Sequence, residues 1–222
     1  MPCERIDRKG RYFCRKAMNR WIFNFIKRAM DISIASLLFL ILSPLYILIA
    51  LAIKIDSDSP GPVFFIQKRC GKNGRMFKMF KFRTMIASAE EMHVELLPQK
   101  DTDGPMFKMV NDPRVTRVGR ILRKTSLDEI PQFVNVLRGE MSLVGPRPLI
   151  MEEMKFNPSW RDVRLSVKPG ITGLWQVEGR SESPFCDWIR YDVEYVENQS
   201  LWLDIRILFK TLKVVFKKTG AY

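Results

Sequence analysis

The decisive stretch of this chain is ISIASLLFLILSPLYILIALAI, residues 32–53. Its 22 residues include no charged side chain, and the run is bounded by Asp31 and Lys54. An α-helix of this length reaches across the hydrocarbon layer of a bilayer, which is about 30 Å thick. The run begins too far into the chain for a secretory signal, and no small-residue cleavage site precedes Lys54. It therefore predicts a membrane segment.

Two features indicate that this segment turns back within the membrane. Ser43-Pro44 lies at its middle, and a proline there removes a backbone donor and clashes with the preceding turn, so the helix should break. Residues 1–28 contain nine Lys and Arg against two acids, and residues 63–83 contain seven and no acid. Because basic flanks favour the cytoplasmic side, we predict a re-entrant helix-break-helix. A single kinked helix that spans the membrane is the alternative on the residues alone.

The composition of the whole chain narrows the function classes. Its 222 residues suit one ordinary domain, and the formal charge of +13 indicates a polyanionic partner: nucleic acid, anionic lipid or a phosphorylated substrate. His93 is the single histidine, which excludes His-rich metal sites and Ser-His-Asp hydrolases. The sequence has no Walker-type phosphate loop, no G-x-G-x-x-G and no C-x-x-C pair among its four cysteines. Such cysteine usage is typical of a reducing cytosolic setting.

The remaining segments predict an α+β fold that is mostly helical. Residues 63–68 and 76–82 read as strands of a small β-hairpin around an Asn-Gly turn, and Gly and Pro indicate an irregular loop or short strands over residues 168–184. Helices are predicted over Ala87–Leu97 and Thr116–Lys124, and Arg114, Arg117, Arg120 and Arg123 recur at threes along a solvated or phosphate-facing row.

The C-terminal stretch predicts a basic amphipathic helix. One side carries Arg206, Lys210, Lys213 and Lys217, and the opposing side carries Ile205, Leu208, Phe209, Leu212 and Phe216. Together with Trp202, this pattern suits a helix that lies on an anionic lipid surface. An ordinary helix packed on the core, with its basic face in solvent, fits the same pattern.

The densest group of polar residues is LRKTSLDEIPQFVNVLRG, residues 122–139. Ser126 and Glu129 have the spacing of a capping box, which predicts a helix that ends before Gly139 and places Asp128 and Glu129 in its first turn. Arg123 lies just upstream and could bind a phosphate together with the helix amides. A carboxylate such as Asp128 can attack phosphorus, and Glu129 could hold Mg²⁺. The plainer interpretation is that the helix dipole favours acids there.

Taken together, the motifs of this chain resemble the bacterial sugar transferases, the monotopic phosphoglycosyl transferases. The resemblance runs from about Lys27 to the C-terminal helix and rests on long motifs. They are Lys27-Arg28-x-x-Asp31, Ser43-Pro44, Pro60-Gly-Pro-Val-Phe-Phe65, Phe80-Lys-Phe-Arg-Thr-Met85, Ser126-Leu-Asp-Glu-Ile-Pro-Gln132, Gly145-Pro-Arg-Pro148 and Lys168-Pro-Gly-Ile-Thr-Gly-Leu-Trp-Gln176.

The resemblance implies a two-step exchange with a covalent intermediate. Asp128 would attack the β-phosphorus of a UDP-sugar and release UMP, and polyprenol (undecaprenyl) phosphate would then accept the phosphosugar. Glu129 matches the family's Mg²⁺ ligand, and Arg123 matches a phosphate-contacting arginine. Further substrate-binding matches are Pro146, Arg147 and Pro148 at the uridine end, and Lys81 and Arg180 as cationic pocket residues.

The resemblance also implies the organisation and setting of the chain. We expect a basic N-terminal arm at 1–26, the re-entrant membrane helix at 27–55 and a catalytic domain at 56–222, on the cytoplasmic face of the bacterial inner membrane. The product would initiate exopolysaccharide, capsule, O-antigen or glycoconjugate synthesis, with glucose or galactose favoured as the sugar. Membrane lipid is an expected partner, nucleic acid is not, and a homo-oligomer is left open.

Two alternatives remain at this point. The triplets Asp56-Ser-Asp58 and Asp101-Thr-Asp103 could chelate a metal in a glycosyltransferase that releases UDP, although turn-forming acids explain them more simply. A membrane-anchored protein that binds polyanions without catalysis would explain the charge. It would not explain the clustering of acids and arginines around residues 123–147.

Overall fold

The computed structural model describes residues 17–56, 61–96, 98, 109, 111–151, 153–155, 158–179 and 185–217. Of the residues discussed above, Asp58, Asp101, Asp103 and Arg180 lie outside this set, as do Pro60, Leu97 and residues 1–16 of the predicted N-terminal arm. The described part is mostly helical with two short sheets, as the α+β class predicts. The α-helices are α1 (Ala17–Ile41), α2 (Ser43–Ile55), α3 (His93–Leu96), α4 (Arg117–Lys124), α5 (Phe133–Arg138), α6 (Pro158–Leu165), α7 (Leu174–Glu178), α8 (Phe185–Glu197) and α9 (Leu201–Lys217). The strands are β1 (Phe64–Cys70), β2 (Met76–Phe82), β3 (Ser142–Val144) and β4 (Gly170–Thr172).

The predicted hairpin is confirmed. Strands β1 and β2 pair antiparallel, from Phe64 opposite Phe82 to Cys70 opposite Met76. At their turn Asn73 and Gly74 adopt φ of 57° and 75°, the left-handed region in which asparagine and glycine are the most tolerant residues. The other sheet joins β3 and β4 in parallel, so part of 168–184 is a short strand, as predicted; α7, just after it, was not predicted.

Of the two helices predicted for the middle of the chain, one is confirmed and the other is confirmed only in part. Helix α4 occupies most of Thr116–Lys124, and the Thr116 hydroxyl caps it by accepting a hydrogen bond from the Gly119 amide at 2.9 Å. The single helix predicted over Ala87–Leu97 is instead a 3₁₀ turn at Ala87–Ala89 and the short α3.

The apolar run folds as two helices that meet at the predicted break. Among the described residues no single helix is both long and apolar enough to span a membrane, but α1 and α2 together are, and they are bent by 59°. Pro44 has no amide hydrogen to donate to the Leu40 carbonyl, and the Ser43 hydroxyl donates to that oxygen instead, at 2.8 Å. Leu42 separates the two helices. Helix α1 itself runs without interruption past residues 26 and 27, where the sequence suggests a boundary.

The first half of this bent pair is tied to the rest of the fold by buried polar bonds. The Lys27 ammonium lies 2.6 Å from the Asp204 carboxylate of α9 and 3.1 Å from the Val144 carbonyl. Asp31 accepts hydrogen bonds from the Ser142 hydroxyl and the Leu143 amide, at 3.1 and 3.0 Å. These bonds fix α1 against β3 and α9.

The C-terminal helix α9 is confirmed, but the face that it buries is not centred on the predicted apolar residues. Its buried side carries Asp204 and Ile207, whereas Phe209 and Leu212, predicted on the side opposite the basic residues, are 64% and 56% exposed. The physical reason is the tie to α1, because Asp204 turns inward to meet Lys27. A helix that exposes large apolar side chains among lysines differs from an ordinary core-packed helix.

Candidate active site

The segment around the two acids is a 3₁₀ helix, and the capping-box prediction is wrong. Leu127–Gln132 form this helix, which includes Pro131, and α5 follows it and ends at Gly139 with φ 81°. Ser126 is left-handed, with φ 57°, and its side chain makes no capping bond. The Glu129 side chain points to Lys81 instead of back to the Ser126 amide. Both acids still occupy the first turn, as predicted.

Asp128 and Glu129 meet a cation from the hairpin. The Lys81 ammonium, on β2, donates to the Glu129 carboxylate at 2.7 Å and lies 3.8 Å from the Asp128 carboxylate. The Asp128 side chain is 12% exposed and that of Glu129 is 30% exposed. One lysine therefore bridges two neighbouring acids, and Glu129 is the more accessible of the two.

The pKa values of the two carboxyl groups shift in opposite directions. Burial raises the pKa of Asp128 to about 6, and Glu129 adds to this shift, while Lys81 and Arg123 oppose it. Burial also acts to raise the pKa of Glu129, but Lys81 and Arg147 outweigh it, so the pKa of this group is lowered. Adjacent acids pushed apart in pKa are a frequent feature of catalytic sites. At neutral pH both are carboxylates.

Arg123 lies at the edge of this group, in the last turn of α4. Its guanidinium donates from Nε to the Thr84 hydroxyl at 3.0 Å, and burial lowers its pKa while Asp128 counteracts the effect. The arginine row predicted at threes is not one face, because Arg114 precedes α4 and is buried against Asp112, 2.6 Å away.

A cleft opens beside Glu129, and Asp128 and Arg123 are not among the residues that line it. Four residues predicted for the site line it: Lys81, Glu129, Arg147 and Pro148. Pro146 accepts a hydrogen bond at its carbonyl from the Gly170 amide, 2.9 Å away, and so supports the cleft wall. Cations from the hairpin and from the Gly145–Pro148 turn thus converge on one opening. A cleft of this character suits a substrate with several negative charges.

Sequence reasoning missed three further residues that line the cleft: Arg69, Gln132 and Gln176. Gln132 and Gln176 end two of the quoted motifs, so their position in the motifs was a usable signal. Arg69 lies on β1 near the turn. The hairpin pattern indicated that this strand is basic, but it did not indicate that Arg69 lines a cleft. Its cation is buried, at 6% exposure.

Helix α2 also contacts the 3₁₀ helix that bears the two acids. The Tyr46 hydroxyl donates to the Ile130 carbonyl at 2.5 Å, two residues after Asp128, and the Tyr46 ring lies 5.5 Å from that of Phe82. The second half of the bent pair is therefore attached to the 3₁₀ helix that presents the acids.

The alternative metal site at Asp56 does not form part of the cleft. Asp56 caps the end of α2, and its carboxylate accepts a hydrogen bond from the Val118 amide of α4 at 3.3 Å. Its role in the described fold is to join two helices.

Comparison with known proteins gives one family throughout. The family described as "Bacterial sugar transferase" matches residues 22–218. The chain is 46% identical over 196 residues to "Galactosyl transferase CpsE" of Streptococcus agalactiae, covering 88% of this chain and 43% of that protein. It is 45% identical over 207 residues to "Undecaprenyl-phosphate galactose phosphotransferase" of Salmonella typhimurium, covering 89% and 42%. It is 42% identical over 207 residues to "Exopolysaccharide production protein ExoY" of Rhizobium meliloti, covering 91% of both chains.

These relatives differ in length relative to this chain. The chain spans less than half the length of the first two proteins and nearly all of the third. The family match covers most of the described residues, including the cleft, the hairpin and the bent helix pair. This confirms the resemblance inferred from the motifs: the chain belongs to the bacterial sugar transferase family.

Proposed function

We propose that this chain transfers a sugar-1-phosphate from a UDP-sugar to polyprenol phosphate and releases UMP. The observation that carries the proposal is Asp128, a carboxylate held in the first turn of a 3₁₀ helix with Lys81 and Arg123 around it. The names of relatives support it, since one is a "UDP-glucose:undecaprenyl-phosphate glucose-1-phosphate transferase" of Escherichia coli, 42% identical over 208 residues.

The reaction would proceed in two displacements at one phosphorus. In the first, an Asp128 carboxylate oxygen bonds to the β-phosphorus as the bond from that phosphorus to the bridging oxygen breaks, and UMP leaves with the bridging oxygen. In the second, a phosphate oxygen of polyprenol phosphate bonds to the same phosphorus and the Asp128 carboxylate departs. Lys81, Arg123 and Arg147 would stabilise the charge on the phosphoryl oxygens, which is the larger part of phosphoryl-transfer catalysis.

The acids also fit a magnesium ion. Among the described residues no group of three or more His, Cys, Asp or Glu side chains could hold a metal by protein ligands alone. Mg²⁺ commonly binds through one or two carboxylates together with substrate phosphates and water. Glu129, ionised and the more accessible acid, would hold it with Asp128 beside it, and the ion would neutralise charge on the diphosphate.

The pKa of Asp128 predicts a pH dependence. A carboxylic acid is neutral below its pKa, so the nucleophile is lost as pH falls through about 6 and is present above it. We expect single-turnover UMP formation to rise about tenfold per pH unit up to this midpoint and then level off. A cation bound nearby would lower the midpoint, never raise it. Rapid-quench measurements between pH 4.5 and 8 check this, and a rate that falls as pH rises through 6 would contradict it.

We further propose that the bent helix pair enters one leaflet and returns, at the cytoplasmic face of the bacterial inner membrane. Around the bend, large apolar side chains are each more than half exposed in the fold: Leu37, Leu40, Ile41, Ile47, Leu48 and Leu51. Leaving them in water would cost about 25 cal/mol per Å² of apolar surface. On α9, exposed Trp202 and Phe209 beside Lys213 suit a helix at anionic head groups.

Labelling tests this topology. Single cysteines are placed at Arg20, near the start of α1, and at Lys72, beyond the end of α2, in a chain whose native cysteines are replaced. Both positions are exposed. A membrane-impermeant maleimide is expected to label both positions in inverted membrane vesicles and neither in intact spheroplasts. Labelling of one position from each side would show that the pair spans the membrane.

The product nucleotide tests the proposed activity. The chain in detergent is incubated with Mg²⁺, polyprenol phosphate and, in separate reactions, UDP-glucose, UDP-galactose and their N-acetylated counterparts. We expect UMP from at least one donor, with sustained turnover only when the lipid phosphate is present. UDP as the product would indicate a glycosyltransferase, and no nucleotide release from any donor would favour a polyanion-binding protein.

A further inference from the structure

We propose that two buried arginines, Arg69 and Arg164, are positioning residues that hold the Gly145–Pro148 turn so that Arg147 faces the donor nucleotide. The inference rests on the proposed function, since it assigns these residues to donor binding through Arg147. Neither arginine belongs to the Gly-Pro-Arg-Pro motif, and they come from different elements, β1 and α6.

Four consecutive backbone carbonyls of this segment accept hydrogen bonds from three other parts of the fold, β4, α6 and β1. The Pro146 carbonyl accepts from the Gly170 amide at 2.9 Å, and the Leu149 carbonyl accepts from the Cys70 amide at 2.8 Å. Between them, the Arg147 carbonyl accepts from the Arg164 guanidinium, and the Pro148 carbonyl accepts from the Arg69 guanidinium at 3.1 Å. The backbone that bears Arg147 is thus held on both sides by guanidinium groups.

Each of the two arginines is itself fixed by a partner that does not line the cleft. Arg69 donates to the Gln67 side-chain oxygen from Nε at 3.1 Å and from Nη2 at 2.7 Å. Arg164 pairs with the buried Asp192 of α8 at 3.1 Å, and Asp192 also accepts a hydrogen bond from Trp160. Gln67 and Asp192 therefore act on Arg147 through one intervening arginine each.

This arrangement places three guanidinium groups close together. Burial lowers the pKa of Arg69 to about 9, with a further contribution from Arg147, and burial and Arg147 also lower the pKa of Arg164. Like charges held together repel, and Glu153 and Asp192 offset part of this repulsion. An anionic ligand relieves this repulsion, so a preorganised cationic turn favours binding of a nucleotide phosphate.

A double-mutant cycle tests the proposal. Gln67→Ala and Asp192→Asn are each made in the native chain and in an Arg147→Ala background, and KM for the UDP-sugar and Kd for UDP are measured. In the native background we expect each variant to raise both constants about 3- to 30-fold while kcat changes less than about twofold. In the Arg147→Ala background the same substitutions should have no further effect, because the residue through which they act is absent.

Two matched variants serve as controls. Lys68→Ala removes the exposed neighbour of Gln67 on β1, and Arg161→Ala removes a partly exposed arginine from the same helix as Arg164. Both should leave KM and Kd unchanged. Thermal unfolding in detergent identifies any variant that merely destabilises the fold, and Gln67→Ala, at a half-buried surface position, is expected to stay folded.

The outcomes separate this proposal from the proposed function. Equal losses in the native and Arg147→Ala backgrounds would overturn the positioning role while leaving the activity intact. A native chain that binds UDP but releases no UMP would overturn the activity, and the cycle of Kd values would still decide the positioning role. A native chain that does not bind UDP at all would overturn both.

Discussion

The Asp128→Asn variant is expected to release no measurable UMP from any UDP-sugar, a loss on the order of 10⁴-fold or more. Asparagine keeps the size of the side chain and the 3₁₀ turn, but its amide oxygen is a poor nucleophile towards phosphorus. Removal of a catalytic nucleophile commonly has effects of this size. The measurement is UMP formation by the native and variant chains at equal concentration, with Mg²⁺ and polyprenol phosphate.

A second readout tests directly for the covalent intermediate. Native protein incubated with donor alone and quenched in denaturant should gain the mass of one phosphosugar, and the variant should gain none. Asp162→Asn, an exposed acid on α6, is the matched control and should behave as the native chain does. UMP formation by the Asp128→Asn variant at a tenth of the native rate or more would exclude Asp128 as the nucleophile.

The Lys27→Met variant is expected to lose about 3–5 kcal/mol of unfolding free energy, the cost of leaving one member of a buried ion pair alone. Asp204, its partner, is fully buried, and burial raises the pKa of Asp204 while Lys27 opposes that shift. Tyr195 donates a hydrogen bond to Asp204 at 2.8 Å but supplies no charge. Thermal or denaturant unfolding in a fixed detergent measures the difference.

The chain offers a matched control for this prediction. Lys210→Met removes the cation of a second lysine–carboxylate pair on α9, whose partner is Glu178 and whose side chains are about one-third exposed. Exposed pairs contribute about 0–1 kcal/mol, so this variant should be nearly as stable as the native chain. Equal losses for the two variants would contradict the importance of burial, and a stable Lys27→Met variant would show that Asp204 is neutral in the fold.

The elements that sequence reasoning predicted well are those specified by local chemistry. The hairpin follows from the Asn-Gly turn, the bend from Ser43-Pro44, and the end of α5 from Gly139, because each depends on the backbone preferences of one or two residues. Asp128 and Glu129, too, could be predicted to lie in a first helical turn. The family motifs then predicted four of the ten residues that line the cleft: Lys81, Glu129, Arg147 and Pro148.

The elements that sequence reasoning missed are specified by contacts between distant segments. The capping box failed because Lys81, 48 residues away, binds Glu129 more strongly than the local amide does. The buried side of α9 was not predicted, because it depends on the pairing of Asp204 with Lys27, 177 residues away. Arg69 and Arg164 have no periodic signature, since their role depends on a turn that neither adjoins in sequence.

The bend at Leu42 has a consequence for how this part of the chain can vary in length. Each residue of an α-helix turns the chain by about 100°. One residue inserted between Leu42 and Tyr46 would rotate Tyr46 away from the Ile130 carbonyl and towards the apolar side of α2. The number of residues between Leu42 and Tyr46 is thus coupled to the position of the 3₁₀ helix that bears Asp128 and Glu129. During divergence, substitutions should accumulate along the apolar helices while the number of residues between these two positions stays constant.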